Sequence, residues 1–278
     1  WMRNEIELEY YATPGPMTDL SGCPPGAFQG LPDAPADLMR VVRGCVVASI
    51  PAPEGRDEAQ IRPAPAMVER ILELQPSPLV EPRPPVTCFL GNCRHFATLS
   101  CALLRRKRIP ARVRAGFAGY FQPDIWVDHW IIEYWRPAEE RWVRADPQYD
   151  DDWFRSLYPN ASSESVVERM YLSGGEAWQR CRRGELDPNR CNMGGENWGI
   201  GEVRGSVMYD FAALNQAEML PWDVWGQMEA AYRNETDDTY DELLDSISAV
   251  TGGDDFGAIR ELYDGNGDLR VPASLLPA

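Results

Sequence analysis

Positive charge is scarce in this chain: 27 Lys and Arg stand against 43 Asp and Glu, giving a formal net charge of -16 and an isoelectric point near 4.6. Such a field repels polyphosphates, whose binding relies on clustered Lys and Arg, so nucleic acid is not an expected partner. Long apolar runs are missing as well. No stretch approaches the roughly 20 apolar residues of a membrane span, and residues 1–11 are charged where a secretory signal has its apolar region. A cytoplasmic protein with no membrane attachment is expected. A disulfide framework is also absent, because the seven cysteines are odd in number and irregularly spaced, so mostly free thiols are expected. Histidine occurs at two positions, His95 and His129. What remains is ordinary globular material, 44% hydrophobic and 25% charged over 278 residues, enough to bury a full core.

Prolines recur through residues 51–85 too often for regular structure, except across residues 66–75, where Met67, Val68, Ile71 and Leu72 mark a short amphipathic helix. Residues 14–35, rich in Pro and Gly, are expected to run over the surface after a strand at residues 6–11. A helix is expected from Cys93 to about Arg108, capped by Asn92 and stopped by Pro110. At about 100° per residue, Phe96, Leu99, Ser100, Leu103 and Leu104 share a side with Cys93, while Arg94, His95, Arg105 and Arg106 face away. The run Arg105-Arg106-Lys107-Arg108 lies at the negative end of the helix dipole and reads as a terminus rather than a binding patch. Strands are expected at residues 112–120, 129–135 and 141–145, the last two joined by a turn around residues 137–140, forming an antiparallel sheet under the helix. Beyond Asp150 come acidic loops and helical patterns at residues 209–220, 240–250 and 256–263, with Gly252 and Gly265 as stops. The expected fold is α+β in three parts: an N-terminal wrapping segment (1–60), a core (61–150) and a mostly helical C-terminal extension (151–278) integrated into the same globule.

A thiol attacks as thiolate, and a helix N-terminus favours that charge. Cys93 holds such a position, where a backbone N–H can also hold the oxyanion formed when a carbonyl is attacked. The base should be a histidine. His95 lies roughly 200° around the helix from Cys93 and is set aside. His129 opens a strand in which Ile131, Glu133 and Trp135 share its side. Asp146 reaches the same side if the hairpin register is odd. With Trp135 opposite Trp142, Asp146 is diagonal to His129; with Trp135 opposite Glu140, it is directly across. Either way the carboxylate can brace one ring nitrogen while the other faces the thiol. No metal is expected: Cys181 and Cys191 lack a second pair or a nearby His to complete four zinc ligands. The Asp264-Gly265-Asn266-Gly267-Asp268 run has Leu269 and Leu275 where a calcium loop needs Gly and Glu.

The blocks Gly91-Asn92-Cys93-Arg94-His95-Phe96-Ala97, Asp128-His129-Trp130 and Trp142-Val143-Arg144-Ala145-Asp146-Pro147 resemble the three blocks of transglutaminase-like proteins, across residues 88–150. Their order differs from papain-like proteases, whose His lies much further downstream. Trp198, Arg204-Gly205, the run Asp210-Phe211-Ala212-Ala213-Leu214-Asn215 and the run Leu220-Pro221-Trp222-Asp223-Val224-Trp225 resemble a bacterial branch of that superfamily. The resemblance implies a cysteine-proteinase-like core and acyl transfer through a thioester on Cys93, with His129 relaying protons and Asp146 orienting it, and no cofactor. The substrate is a small molecule or peptide; hydrolysis and transfer both stay open. Tyr120, Trp126, Trp130 and Trp198 are candidate cleft walls for a flat amide. Arg204 and Asn215, on the branch resemblance, are candidates for reading a carboxylate or amide. The competing expectation is a catalytically silent fold that acts as a binding protein.

Overall fold

The computed structural model describes residues 2–48, 56–192, 197–253 and 255–277. The first prolines of the 51–85 stretch, and Asp254, lie outside the described residues. Helices and largely antiparallel strands make an α+β fold, in two compact units: residues up to Arg112 with Ile131–Ser163, and Val113–Trp130 with Glu164–Leu276.

The first unit opens on α1 (Met2–Ala12), a helix where the sequence predicts a strand. The alternation Glu5-Ile6-Glu7-Leu8-Glu9 mimics a period of two, but Glu and Leu are good helix formers, and the glutamates make the contacts. Glu7 pairs with Arg112 (3.2 Å) and accepts from the Trp142 indole (3.2 Å), Glu9 pairs with Arg108 (2.6 Å), and Ile6 is left 63% exposed. Residues 14–35 also depart from expectation, since Met17, Thr18, Leu20, Cys23, Ala27 and Phe28 are buried. Next, α2 (Pro35–Cys45) starts on a proline whose missing N–H costs nothing in a first turn, and leads into β1 (Val46–Ala48). The predicted amphipathic helix is α3 (Ala64–Leu74), with Met67, Val68 and Ile71 buried. A short strand, β2 (Phe89–Gly91), pairs in parallel with β1 and delivers the chain to α4 (Cys93–Arg106).

Of the polar outer face expected of α4 Arg106 alone is exposed, for Arg94, His95 and Arg105 are each 0% exposed. The first three helices pack on α4, covering the side that a lone helix on a sheet would leave to water. The buried guanidiniums donate to backbone and hydroxyl oxygens: Arg94 to Arg62 O (2.6 Å), and Arg105 to Ala111 O (3.0 Å) and Thr18 Oγ1 (2.9 Å). The rest of the basic run is engaged too, Arg106 stacking 4.0 Å over Phe28 and Lys107 pairing with Asp33 at 2.6 Å.

The three predicted strands are present as β3 (Ala111–Gln122), β4 (Ile125–Arg136) and β5 (Arg141–Ala145). Residues of β3 and β4 belong to both units. Within the first, β4 and β5 run antiparallel from Ile132↔Ala145 to Arg136↔Arg141, with Trp135 opposite Trp142, the first of the two anticipated registers. Glu133 is held between Arg112 (2.7 Å) and Arg144 (3.0 Å). The unit ends with α5 (Asp151–Leu157), whose cap Asp150 accepts from Trp153 N–H at 2.9 Å.

In the second unit α6 (Ser163–Met170) runs into β6 (Tyr171–Ser173), which pairs antiparallel with β3. Gly116 is required there, since a Cβ would stand 2.0 Å from Leu172 O. Ser173 and Glu176 then cap each other's backbone N–H at the start of α7 (Gly174–Arg182). A two-residue strand, β7 (Cys191–Asn192), pairs in parallel with β4 through Trp126↔Cys191. The helical patterns resolve as α8 (Ile200–Leu214), α9 (Met228–Tyr232), α10 (Asp238–Gly252) and α11 (Phe256–Gly265), with Gly252 and Gly265 closing their helices. The expected 209–220 helix starts earlier and stops at Leu214; because residues 205–214 of α8 are all buried, it has no polar stripe to mark its limits. No helix of the described residues is long and apolar enough to cross a membrane.

Candidate active site

Cys93 is the first residue of α4 and half-buried. Asn92, extended at φ -120°, turns the incoming strand into the helix, so the thiol stands among N–H groups that have no intrahelical acceptor. His95 locks this turn. Its Nδ1 accepts from Asn92 N–H (3.1 Å), and its Nε2 lies 3.2 Å from Ile61 O, to which it donates. Burial foremost, and the charge of Arg94, hold its pKa down to about 3, so the ring is neutral with both nitrogens committed. The outward orientation read from the sequence was incorrect: His95 is a buried cap.

Asp146 directly follows β5 and is 2% exposed. Its Oδ1 accepts from the N–H groups of Gln148 (2.8 Å) and Tyr149 (3.4 Å), the side-chain-to-backbone turn that Asp-Pro favours. Arg43 of α2 donates to Pro147 O at 3.3 Å and feels the charges of Asp150 and Asp146. Tyr149 links Cys93 and Asp146 electrostatically. Its phenol is pushed up to about 12, by burial first and then by Asp146 and Cys93. Sequence reasoning passed over Tyr149, whose single signal was its place three residues after Asp146.

His129 lies on the part of β4 in the second unit and is 3% exposed. Its ring meets Phe121 edge-on at 5.0 Å and Tyr120 at 6.0 Å, and its carbonyl accepts from Tyr171 Oη at 3.2 Å. Strand alternation sends Asp128 and Trp130 to the other side, where the Trp130 ring lies 5.8 Å from that of Tyr209 on α8. Asp128 Oδ1 is buried with no hydrogen-bond partner among the described residues. Burial foremost pushes its pKa up to about 7; Glu202 adds to the rise and His129 opposes it. A carboxyl raised in the fold takes up protons there, so its contribution to stability is present at low pH and lost as pH climbs from its ordinary 3.8 to about 7. Asp128→Asn is therefore expected to raise the thermal midpoint by a few degrees in mildly alkaline buffer and to change it little in acid, as read by scanning calorimetry. Equal shifts in both buffers would count against a buried, late-titrating Asp128.

The other anticipated contact residues all lie in the second unit. Tyr120 and Trp130 are 1% and 0% exposed, Trp126 is half-buried with its ring over Gly119, and Trp198 is 44% exposed. Arg204 is held by Asp241 through two bonds (3.0 and 3.1 Å) and by Asn234 (2.9 Å). Asn215 donates to Phe211 O (2.7 Å) and accepts from Arg260 (2.7 Å). The polar atoms of this pair tie helices together.

Residues 75–147, which include Cys93, His129 and Asp146, match the family model of the transglutaminase-like superfamily. A protein-glutamine gamma-glutamyltransferase of Pseudomonas aeruginosa is 37% identical over 67 residues, covering 21% of this chain and 10% of that protein. Among solved structures, a candidate cysteine protease from Cytophaga hutchinsonii is similar with a TM-score of 0.35 at 16% identity, over 60% of this chain and 45% of that one. The chain thus spans a tenth of the first relative's length and under half of the second's.

Proposed function

Because residues 75–147 match the family model of the transglutaminase-like superfamily, we propose that the chain carries out cysteine-dependent amide hydrolysis or acyl transfer on a small molecule or peptide. Cys93 attacks the carbonyl carbon as a thiolate, and its proton passes to His129. The tetrahedral oxyanion takes a hydrogen bond from the first turn of α4. Collapse breaks the carbon–nitrogen bond, and His129 returns the proton to the departing amine, leaving a thioester on Cys93. Water or a second amine, deprotonated by His129, then displaces the thiol. Asp146 orients the imidazole and balances its charge.

The observation that carries this reading is the half-buried thiol of Cys93 at the head of α4, within the residues that match the family model; Tyr149, whose titration both Asp146 and Cys93 raise, supports a place for that carboxylate beside it. The β4–β5 register supports the place of His129 in it. Continued by one step, the register sets Asp146 opposite Ile131, and His129 shares Ile131's side of β4. Tyr120 and Phe121 flank the imidazole and keep water from it. Trp126 and Trp198, which retain exposed surface, are the proposed substrate contacts; Arg204 and Asn215 are given a structural role.

Iodoacetamide labelling with peptide mapping tests the proposal. Of the seven cysteines, five are buried and Cys93 and Cys181 are partly open. Rapid alkylation of Cys93 near neutral pH is expected, slowed at least ~10-fold in His129→Ala, because the thiolate is the reacting form. Equally slow labelling of Cys93 in both proteins would favour a silent fold that binds a partner.

A further inference from the structure

The far end of α4 borders a cleft that the proposed chemistry does not use. Cys93 is the first residue of the helix and Arg106 the last, about 20 Å apart along the axis at about 1.5 Å per residue. An open cleft of about 700 Å³ lies there within the first unit, between Arg106 and Lys107 on one side and residues 25–31 on the other. The second wall is held in shape by its own backbone. Pro25–Phe28 form a single 3-10 turn, Gln29 donates its N–H to Gly26 O (3.3 Å) and Leu31 to Phe28 O (3.3 Å), and Leu79 N–H ties down Ala27 O (2.8 Å). Pro25, Phe28 and Leu31 give the cleft apolar surface. The space over Gly26 is open, since a Cβ there would meet nothing within 4 Å.

Arg106 supplies the polar chemistry. Its guanidinium lies 4.0 Å over the Phe28 ring, a contact through the face of the group that leaves the N–H donors in its plane open. Among the described residues no carboxylate or carbonyl takes those donors, whereas Arg105 donates to Ala111 O and Thr18 Oγ1, Lys107 to Leu31 O and Asp33, and Arg108 to Glu9. The carbonyl end of a helix ordinarily opposes an anion. Here the carbonyls of Leu103, Leu104 and Arg105 are already occupied by the N–H groups of Lys107, Ile109 and Arg108 (3.2, 3.0 and 2.9 Å). Because Asp33 balances Lys107 (2.6 Å), the cleft holds one uncompensated positive charge. In a chain of net charge -16 that charge suits a monoanion and not a polyanion. The exposed Gln29 side chain, also without a partner among the described residues, adds a donor and an acceptor for an amide. We propose that this cleft binds a small monocarboxylate that carries an amide and an apolar side chain, the chemistry of an N-acylated amino acid. The carboxylate sits on the Arg106 fork, the apolar group lies against Pro25, Phe28 and Leu31, and the amide meets Gln29.

Binding here is independent of any reaction at Cys93. The test is isothermal titration of the full chain with N-acetylphenylalanine and with its C-terminal amide, which keeps the shape and lacks the charge. One-to-one saturable binding of the acid is expected, with the amide at least ~10-fold weaker and a comparable loss for the acid in Arg106→Gln. Cys93→Ala should bind the acid as the wild type does. Phenyl phosphate, mostly dianionic near neutral pH, should bind more weakly than the acid. Equal binding of acid and amide would overturn the proposal, as would an acid that gives no saturable heat or that binds Arg106→Gln undiminished. Loss of binding in Cys93→Ala would place the acid at the thiol instead, and tighter binding of phenyl phosphate would defeat the single-charge argument. Arg106 is exposed, so its replacement should leave the fold intact. The comparison of acid with amide uses the wild-type protein and decides the matter however well the variant folds.

Discussion

Asp146→Asn is expected to lower turnover by about 10³–10⁴-fold while leaving the thermal midpoint nearly unchanged. The carboxylate has two roles that this substitution separates. One is local: Oδ1 accepts from Gln148 and Tyr149 N–H and holds the turn after β5. An amide oxygen can do the same, so the turn survives. The other belongs to the proposed mechanism and is electrostatic: a negative charge that braces His129 and stabilises the imidazolium formed when Cys93 gives up its proton. Asparagine removes that charge and offers an N–H in its place, which favours the wrong tautomer. The check is kcat/KM on an activated ester or amide that acylates Cys93, measured beside the melting curve, with Cys93→Ala as the floor. Turnover unchanged in Asp146→Asn would remove the residue from the mechanism. A matching fall in melting temperature would show that its role is the turn alone.

The legible parts of this chain are those with short-range signals. Asn92 before Cys93, Pro110 after the helix and the alternation through His129, Ile131, Glu133 and Trp135 fix α4, β4 and β5 within a few residues, because caps, breakers and strand period act locally. The α+β class follows from those elements. What misleads is context. Glu5 to Glu9 alternate like a strand, yet the partners of Glu7 and Glu9 are Arg112, Trp142 and Arg108, about a hundred positions further on. Arg94, His95 and Arg105 read as a solvated face because Arg62 O, Ile61 O and the Thr18 hydroxyl, which receive them, come from distant segments. The short strands β6 and β7 exist by virtue of their partners β3 and β4, so no period announces them. The same holds within the candidate site. Asp128 and Tyr149 are ordinary residues until burial and neighbouring charges shift their titration.

Asp210→Ala is expected to cost about 3–5 kcal/mol of unfolding free energy, the largest stability loss of any single change proposed for this chain. Arg114 and Asp210 are 1% and 0% exposed and meet through two parallel bonds, Nε to Oδ1 at 2.8 Å and Nη2 to Oδ2 at 2.9 Å. Oδ1 also accepts from Ala115 N–H at 3.2 Å. Removing the carboxylate leaves a guanidinium in the core without its counter-charge and a strand N–H without its acceptor, and neither group can reach water. Arg114 is tied to the wall behind His129 as well, because the Tyr171 hydroxyl lies 3.1 Å from Arg114 O and 3.2 Å from His129 O. The pair is therefore a tether between β3 and α8 within the unit that carries the imidazole. Its two halves should couple. Arg114→Leu in the Asp210→Leu background is expected to recover most of what either single change loses, since an apolar pair desolvates no charge. Urea unfolding of the two single variants and the double variant measures that coupling. Strict additivity across the cycle would show that each residue acts through packing rather than through the other's charge.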